Sequence, residues 1–120
     1  MTTIQFISGR GITKIYGQMM FIGDDLLVAF EGGDKHHIGS CSFRNFESSQ
    51  LLNKWITKGT HKDYYVSEII AEKLSSVFTN SLIIVGGIHV DNITQEQIDE
   101  VLENAHELAE KMKEHLVQSK

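Results

Sequence analysis

Two hydrophobic rhythms divide the chain. In the first half, apolar and polar residues alternate. Ile4 and Phe6 share one face, as do Leu26, Val28 and Phe30, which is the period of a half-buried strand. The segment Ile12 to Ile22 is rich in Ile, Thr, Tyr, Met and Phe, residues suited to a pleated surface. Ser8-Gly9-Arg10-Gly11, Gly23-Asp24-Asp25 and Gly32-Gly33-Asp34-Lys35 break the pattern with turn chemistry. A further long strand is expected from His37 to Phe46. The links are too short for parallel crossovers, so an antiparallel meander is predicted.

The second half follows a helical rhythm. Val66, Ile69, Ile70, Leu74, Val77 and Phe78 form one stripe, with Thr60 or Asp63 available as the cap. Leu82-Ile83-Ile84-Val85 is a short unbroken apolar run, as expected of a central strand covered on both faces. Gly86-Gly87 reads as the turn after it. Thr94 and Gln97 make a capping box. Behind it, Ile98, Val101, Leu102, Ala105, Leu108, Ala109 and Met112 mark a long amphipathic helix. Residues 47–59 fit either element: Leu51, Leu52, Trp55 and Ile56 have helical spacing, whereas Trp, Ile, Thr and Gly59 suit a strand. The predicted fold class is α+β, a two-layer domain over residues 1–120. It has a mainly antiparallel β-sheet with two helices from the C-terminal half packed on one face.

Charge sharpens this division. The net charge is −5, yet residues 1–62 carry seven Lys or Arg against five Asp or Glu, and residues 63–120 carry four against eleven. The excess acid is mostly the solvent face of the last helix: Glu96, Asp99, Glu100, Glu103, Glu107 and Glu110. No dense basic stripe marks a nucleic-acid partner. No apolar run approaches the ~20 residues of a membrane span. The opening residues lack the basic and apolar regions of a secretory leader, and a soluble, cytoplasmic protein is expected. Cys41 stands alone and proline is absent, which excludes an internal disulfide, a cysteine zinc cluster and a PxxP ligand.

Six histidines are the main candidates for chemistry. His106 and His115 lie among Glu and Lys on the last helix and read as surface residues. His36, His37, His61 and His89 stand at element ends, where scaffolds display function. His89 and Asp91 are two apart on an extended segment, so they face the same way and can pair. A carboxylate beside an imidazole fixes its tautomer, which serves metal binding or proton transfer. Gly86-Gly87, placed before a helix, could present backbone N–H groups to a phosphate, although no phosphate fingerprint is present. Cys41, within a strand pattern, reads as a small buried hydrophobe. No nucleophile elbow or paired-carboxylate motif occurs. The residues alone leave open a small metal-dependent enzyme built on His37, His61, His89 and Asp91. They also leave open an assembly protein without a cofactor.

Three segments carry a resemblance. Gly23-Asp24-Asp25-Leu26-Leu27-Val28 leads into Gly32-Gly33-Asp34-Lys35-His36-His37-Ile38-Gly39. Gly59-Thr60-His61-Lys62-Asp63 opens a helix. Gly87-Ile88-His89-Val90-Asp91-Asn92-Ile93-Thr94 precedes the last helix. In content, order and spacing the chain resembles the prenylated-flavin chaperones, small accessory proteins of prenylated-flavin-dependent decarboxylases such as gallate decarboxylase. The fold this implies is similar to that of proteasome assembly chaperones. The resemblance also implies a non-catalytic protein that binds reduced prenylated FMN, or FMN, and helps load it into an apo-decarboxylase.

By the same resemblance the cofactor-binding residues are Gly33, Asp34, Lys35, His37, Gly39, His61, Lys62, His89, Asp91 and Asn92. Lys35 and Lys62 would face the phosphate. The imidazoles would meet the ring's polar edge or hold a divalent metal. Tyr16, Met20 and Trp55 are candidates for apolar walls. A chain this short forms a shallow pocket, so a homodimer is expected. The family often has Pro where this chain has His36, so His36 is not taken as a site residue. It also often has Gly directly before the second segment's His, where this chain has Thr60. The resemblance favours a strand over residues 49–57.

Overall fold

A computed structural model describes residues 2–44, 51–56 and 61–119; for residues 51–56, 61 and 62 it describes the backbone alone. The elements are β1 (Thr3–Ser8), β2 (Ile15–Ile22), β3 (Asp25–Gly33), β4 (Ser40–Arg44), β5 (Leu51–Ile56), α1 (His61–Ser75), β6 (Leu82–His89) and α2 (Gln95–Gln118). They build one six-stranded sheet in the order β1-β2-β3-β6-β4-β5. The α+β class holds. Every strand pair is antiparallel except β3–β6. Of the segment 49–57, Leu51–Ile56 is a strand, as the resemblance favours; residues 49, 50 and 57 lie outside the described residues.

Local chemistry explains the first hairpins. A single 3-10 turn, Gly11–Thr13, links β1 to β2. Gly23 and Asp24 link β2 to β3, and Ile22 pairs with Asp25 across the turn. Gly23 has φ +61° and Asp24 is not left-handed. A positive φ at the first loop position alone is the II′ pattern that suits strand twist.

The meander stops there, which corrects the sequence expectation. β3 does not pair with β4. Residues 34–39 cross over β6, which enters between them, parallel to β3 and antiparallel to β4. The expected strand from His37 therefore begins only at Ser40; residues 45 and 46 lie outside the described residues. A six-residue link is too short to lead into a parallel neighbour, but it can step across one strand, about 10 Å. The apolar run of β6 takes the vacated interior position.

Both helices cover the same sheet face. α1 packs on β4 and β6, α2 on β1 and β2, and the helices touch each other. Leu26, Val28, Phe30, Leu82 and Ile84 meet Val66, Ile70, Leu74, Leu108 and Met112 in one buried cluster. Gly17 lets α2 approach β2: a Cβ there would press on Met112 and Leu108. The alternate residues Leu27, Ala29, Ile83 and Val85 lie on the opposite face and are only half-buried. The run of β6 is thus covered by helices on one face, not two as expected. α2 starts at the expected box: Gln97 N donates to Thr94 Oγ1 at 3.1 Å, and Thr94 N donates to Gln97 Oε1 at 2.9 Å.

α1 meets β4 through polar groups. Ser40 Oγ donates to the Asp63 carbonyl at 3.0 Å, Ser42 and Ser67 share a 3.0 Å hydrogen bond, and Arg44 pairs with Glu68 at 2.8 Å. Three successive inward positions of β4 thereby fix where α1 sits along the strand.

Candidate functional site

β3 and β6 run parallel and β4 runs against them, so the ends of β3 and β6 and the start of β4 lie at one edge of the sheet. The first turn of α1 arrives at the same edge. Three distant sequence segments are thus brought together by topology, at the carboxyl ends of parallel strands where open sheets commonly bind ligands.

Gly33 ends β3 with φ +83°, opposite His89 in the β3–β6 register. That left-handed turn suits glycine, and a Cβ there would collide with the His89 carbonyl. The chain then folds onto the end of β6. Asp34 N donates to the His89 carbonyl at 2.6 Å, and Asp91 N donates back to Asp34 Oδ2 at 2.8 Å. Asn92 follows with φ +53°, a conformation Asn tolerates better than most residues. His89 Nε2 lies 2.8 Å from Asp91 Oδ1, the pair expected from their spacing.

His37 approaches from the crossover loop. Its Nε2 lies 3.2 Å from Asp63 Oδ2, and its ring stands edge-on to that of His89, centroids 6.3 Å apart. Asp63 Oδ1 accepts a 2.7 Å hydrogen bond from Ile88 N. Asp63 is therefore not the helix cap that its position suggested. It lies inside the first turn of α1 and is fully buried. A Cβ at Gly39 would collide with its carboxylate, and a Cβ at Gly87 would approach the His37 carbonyl at 2.6 Å. Gly86 and Gly87 thus belong to β6, where close neighbours exclude side chains; they are not the expected turn before a helix.

The site residues expected from sequence are distributed as follows. Gly33, Asp34, His37, Gly39, His89 and Asp91 form the cluster, and Asn92 adjoins it. Lys35 is exposed on the crossover loop. His61 and Lys62 head α1, two and one residues before Asp63, but their side chains lie outside the described residues, as do Thr60 and the side chain of Trp55. Asp63 is the member that the sequence reading missed as a site residue. Its adjacency to His61 and Lys62 was the available signal. Among the described residues no group of three or more His, Cys, Asp or Glu is arranged to hold a metal ion.

A shallow cavity of about 280 Å³ opens beside His37, lined by Ala29, Glu31, His36, Ile38 and Val85 among others. His36, set aside by the resemblance, is on this wall: Nδ1 is 3.3 Å from Glu31, and its ring is 6.4 Å from that of Tyr16. A second cavity of about 290 Å³ lies further along the open face over Gln5, Gln18 and Tyr16, away from the His37–His89 pair. Cys41 is half-buried on β4, and burial pushes its thiol pKa up, so it is a poor nucleophile. His106 is exposed, as expected; His115 is half-buried with its ring edge-on to Phe6 at 5.9 Å. No helix among the described residues is long and apolar enough to cross a membrane.

The sequence model of the prenylated flavin chaperone LpdD-like domain matches residues 9–117. Protein LpdD of Lactiplantibacillus plantarum is 33% identical over 82 residues, covering 67% of this chain and 60% of that protein.

Proposed function

The chain belongs to the prenylated flavin chaperone LpdD-like family, and from that premise we propose that it binds reduced prenylated FMN and hands it to an apo-decarboxylase. The observation carrying this reading is the convergence of His37 and His89, each with its own carboxylate, beside a cavity at one sheet edge. Gly33, Asp34, Gly39, Asp91 and Asn92 shape the edge in this reading, and Lys35, His61 and Lys62 supply positive charge for the phosphate. The role in this reading is non-catalytic and cytoplasmic: the site supplies donors, acceptors and a wall.

A homodimer is part of this reading, on the ground of the site's shape. A cavity of about 280 Å³ falls just below the roughly 300–1,000 Å³ that encloses a small ligand. A second copy over the open sheet face would deepen it and cover Leu27, Ala29, Ile83 and Val85.

Anaerobic mixing with reduced prenylated FMN, followed by gel filtration, is expected to give a stoichiometric flavin–protein complex that transfers flavin to an added apo-decarboxylase. Retention no greater than that of FMN would overturn the reading. Sedimentation of the flavin complex as a 13.5 kDa species would overturn the dimer.

A further inference from the structure

We propose that Asp63 is a positioning residue that holds His37 in its Nε2–H tautomer and leaves Nδ1 as a hydrogen-bond acceptor facing the site. The acceptor half rests on the flavin-binding reading above; the tautomer half does not. It would make His37 the partner of an N–H or O–H group of the ligand, such as a flavin ring N–H or a ribityl hydroxyl, and not of a phosphate oxygen.

The geometry leaves His37 little choice. Asp63 is fully buried, and its Oδ1 is occupied by Ile88 N at 2.7 Å. Its Oδ2 faces His37 Nε2 at 3.2 Å. A carboxylate only accepts hydrogen bonds, and the first turn of a helix favours the anion. A lone pair on Nε2 would face the carboxylate oxygen at 3.2 Å, so the contact favours the proton on Nε2. In a neutral imidazole the other nitrogen is then an acceptor. Among the described residues Nδ1 has no hydrogen-bond partner, and His37 lines the cavity. Both flanks of the pair are kept clear by glycine: a Cβ at Gly39 would lie on the Asp63 carboxylate, and one at Gly87 would come within 3.1 Å of His37 Cε1. These glycines are explained by the room the His37–Asp63 pair needs.

Asp63→Asn tests this with almost no change of shape. The amide oxygen keeps the Ile88 N–H, which turns the amide NH₂ toward His37 Nε2. That donor requires Nε2 to accept, so His37 must switch to Nδ1–H. The full chain, labelled with 15N-histidine and free of flavin, is studied by long-range 15N–1H correlation at pH 8.5, with His37→Gln assigning the signal. The wild type should show the Nε2–H pattern and Asp63→Asn the Nδ1–H pattern. A wild-type Nδ1–H or mixed pattern overturns the proposal, as does an unchanged pattern in Asp63→Asn. Should Asp63→Asn fail to fold, the wild-type spectrum alone decides. The second readout is affinity for reduced prenylated FMN, expected to fall about tenfold in Asp63→Asn, the scale of one hydrogen bond to a charged or polarised group; equal affinity overturns the acceptor role. A wild type that binds no reduced prenylated flavin sinks the functional reading and the acceptor half with it, while the spectra still decide the tautomer.

Discussion

The two helices cover the same face of the same sheet, yet they meet it with different balances of apolar and polar contact. α2 buries Val101, Ala105, Leu108, Ala109 and Met112, an apolar stripe that meets β2 at Gly17, and sends its acid to solvent; Asn104 and Lys111 add hydrogen bonds to the Thr13 and Ile7 carbonyls at its margin. α1 shares that core through Val66, Ile70 and Leu74, but toward β4 it presents Asp63, Ser67 and Glu68. Apolar contact is tolerant of small sliding movements, because dispersion has no direction. A ladder of hydrogen bonds is not. The helix that must deliver Asp63 to His37 is the one held by directional bonds. α2, whose start lies beside the same edge but which contributes no side chain to the His37–Asp63 pair, is held mainly by area.

The largest effect that would sharpen this contrast is on stability alone. Leu108→Ala, at a fully buried position of α2, is expected to cost about 2–5 kcal/mol, read as a lower thermal or urea midpoint. At a temperature where the variant remains folded, its affinity for reduced prenylated FMN should match the wild type. A cost under about 1 kcal/mol, or lost affinity in the folded variant, would break the distinction between a scaffold helix and a site helix. Gly39→Ala should do the reverse. Its new Cβ strikes the Asp63 carboxylate, a rigid, buried group, so overpacking should cost about 1–3 kcal/mol. Flavin affinity should fall with it, and the His37 ring signals should move. Unaltered His37 signals would show that the pair does not need the space glycine leaves.

The same contrast explains what could be read from the sequence. α2 was legible because everything that makes it is local: the Thr94–Gln97 box, the three-to-four spacing and the acidic face lie within one stretch of chain. The Gly23 hairpin was legible for the same reason. The partner of β3 was not. Turn chemistry at Gly32-Gly33 shows that the strand ends; it does not say which strand lies beside it, and the apolar run of β6 entered the sheet from about 50 residues further on. Alternation in β4 was also ambiguous in a specific way. It says that Ser40, Ser42 and Arg44 share a face and that Cys41 and Phe43 share the other. It does not say that the polar set points inward, which depends on Asp63, Ser67 and Glu68 meeting it. Asp63 looked like a cap because a cap and a buried first-turn carboxylate have the same sequence neighbours. Its role depends on Ile88 and His37, neither of them near it in sequence. Family likeness pointed to residues of three distant segments that local rules could not join; Asp63, whose contacts with His37 and Ile88 appear only in the fold, was not among them.

A smaller expected effect concerns the legible helix. Thr94→Ala removes the side-chain half of the capping box and leaves the Gln97 N–H without its acceptor. The helix start should lose about 1 kcal/mol, seen as a small drop in midpoint and faster amide exchange at Gln95–Ile98. Flavin affinity should stay within about twofold. Because Thr94 is only two residues beyond Asn92, an affinity loss larger than this would show that the site's third segment depends on how α2 begins, and would join the two helices functionally.

The smallest effect on stability should fall at His89, which the proposed function places against the ligand. His89 and Asp91 are both substantially exposed, so their pairing is screened by water, and His89→Ala should leave the unfolding midpoint within about 0.5 kcal/mol of wild type. Its backbone carbonyl, which accepts from Asp34 N, is unaffected by the substitution, so the turn that ties β3 to β6 should persist. Reduced prenylated FMN affinity should nonetheless fall about tenfold, the loss of one charge-assisted hydrogen bond, while His106→Ala, on the exposed face of α2, should change neither quantity. The informative result is the ratio of the two losses. At Leu108 stability is expected to fall and affinity to hold; at His89 affinity is expected to fall and stability to hold. If His89→Ala lowers both equally, its imidazole supports the edge of the sheet, and ligand recognition must then be sought along His37 and the start of α1.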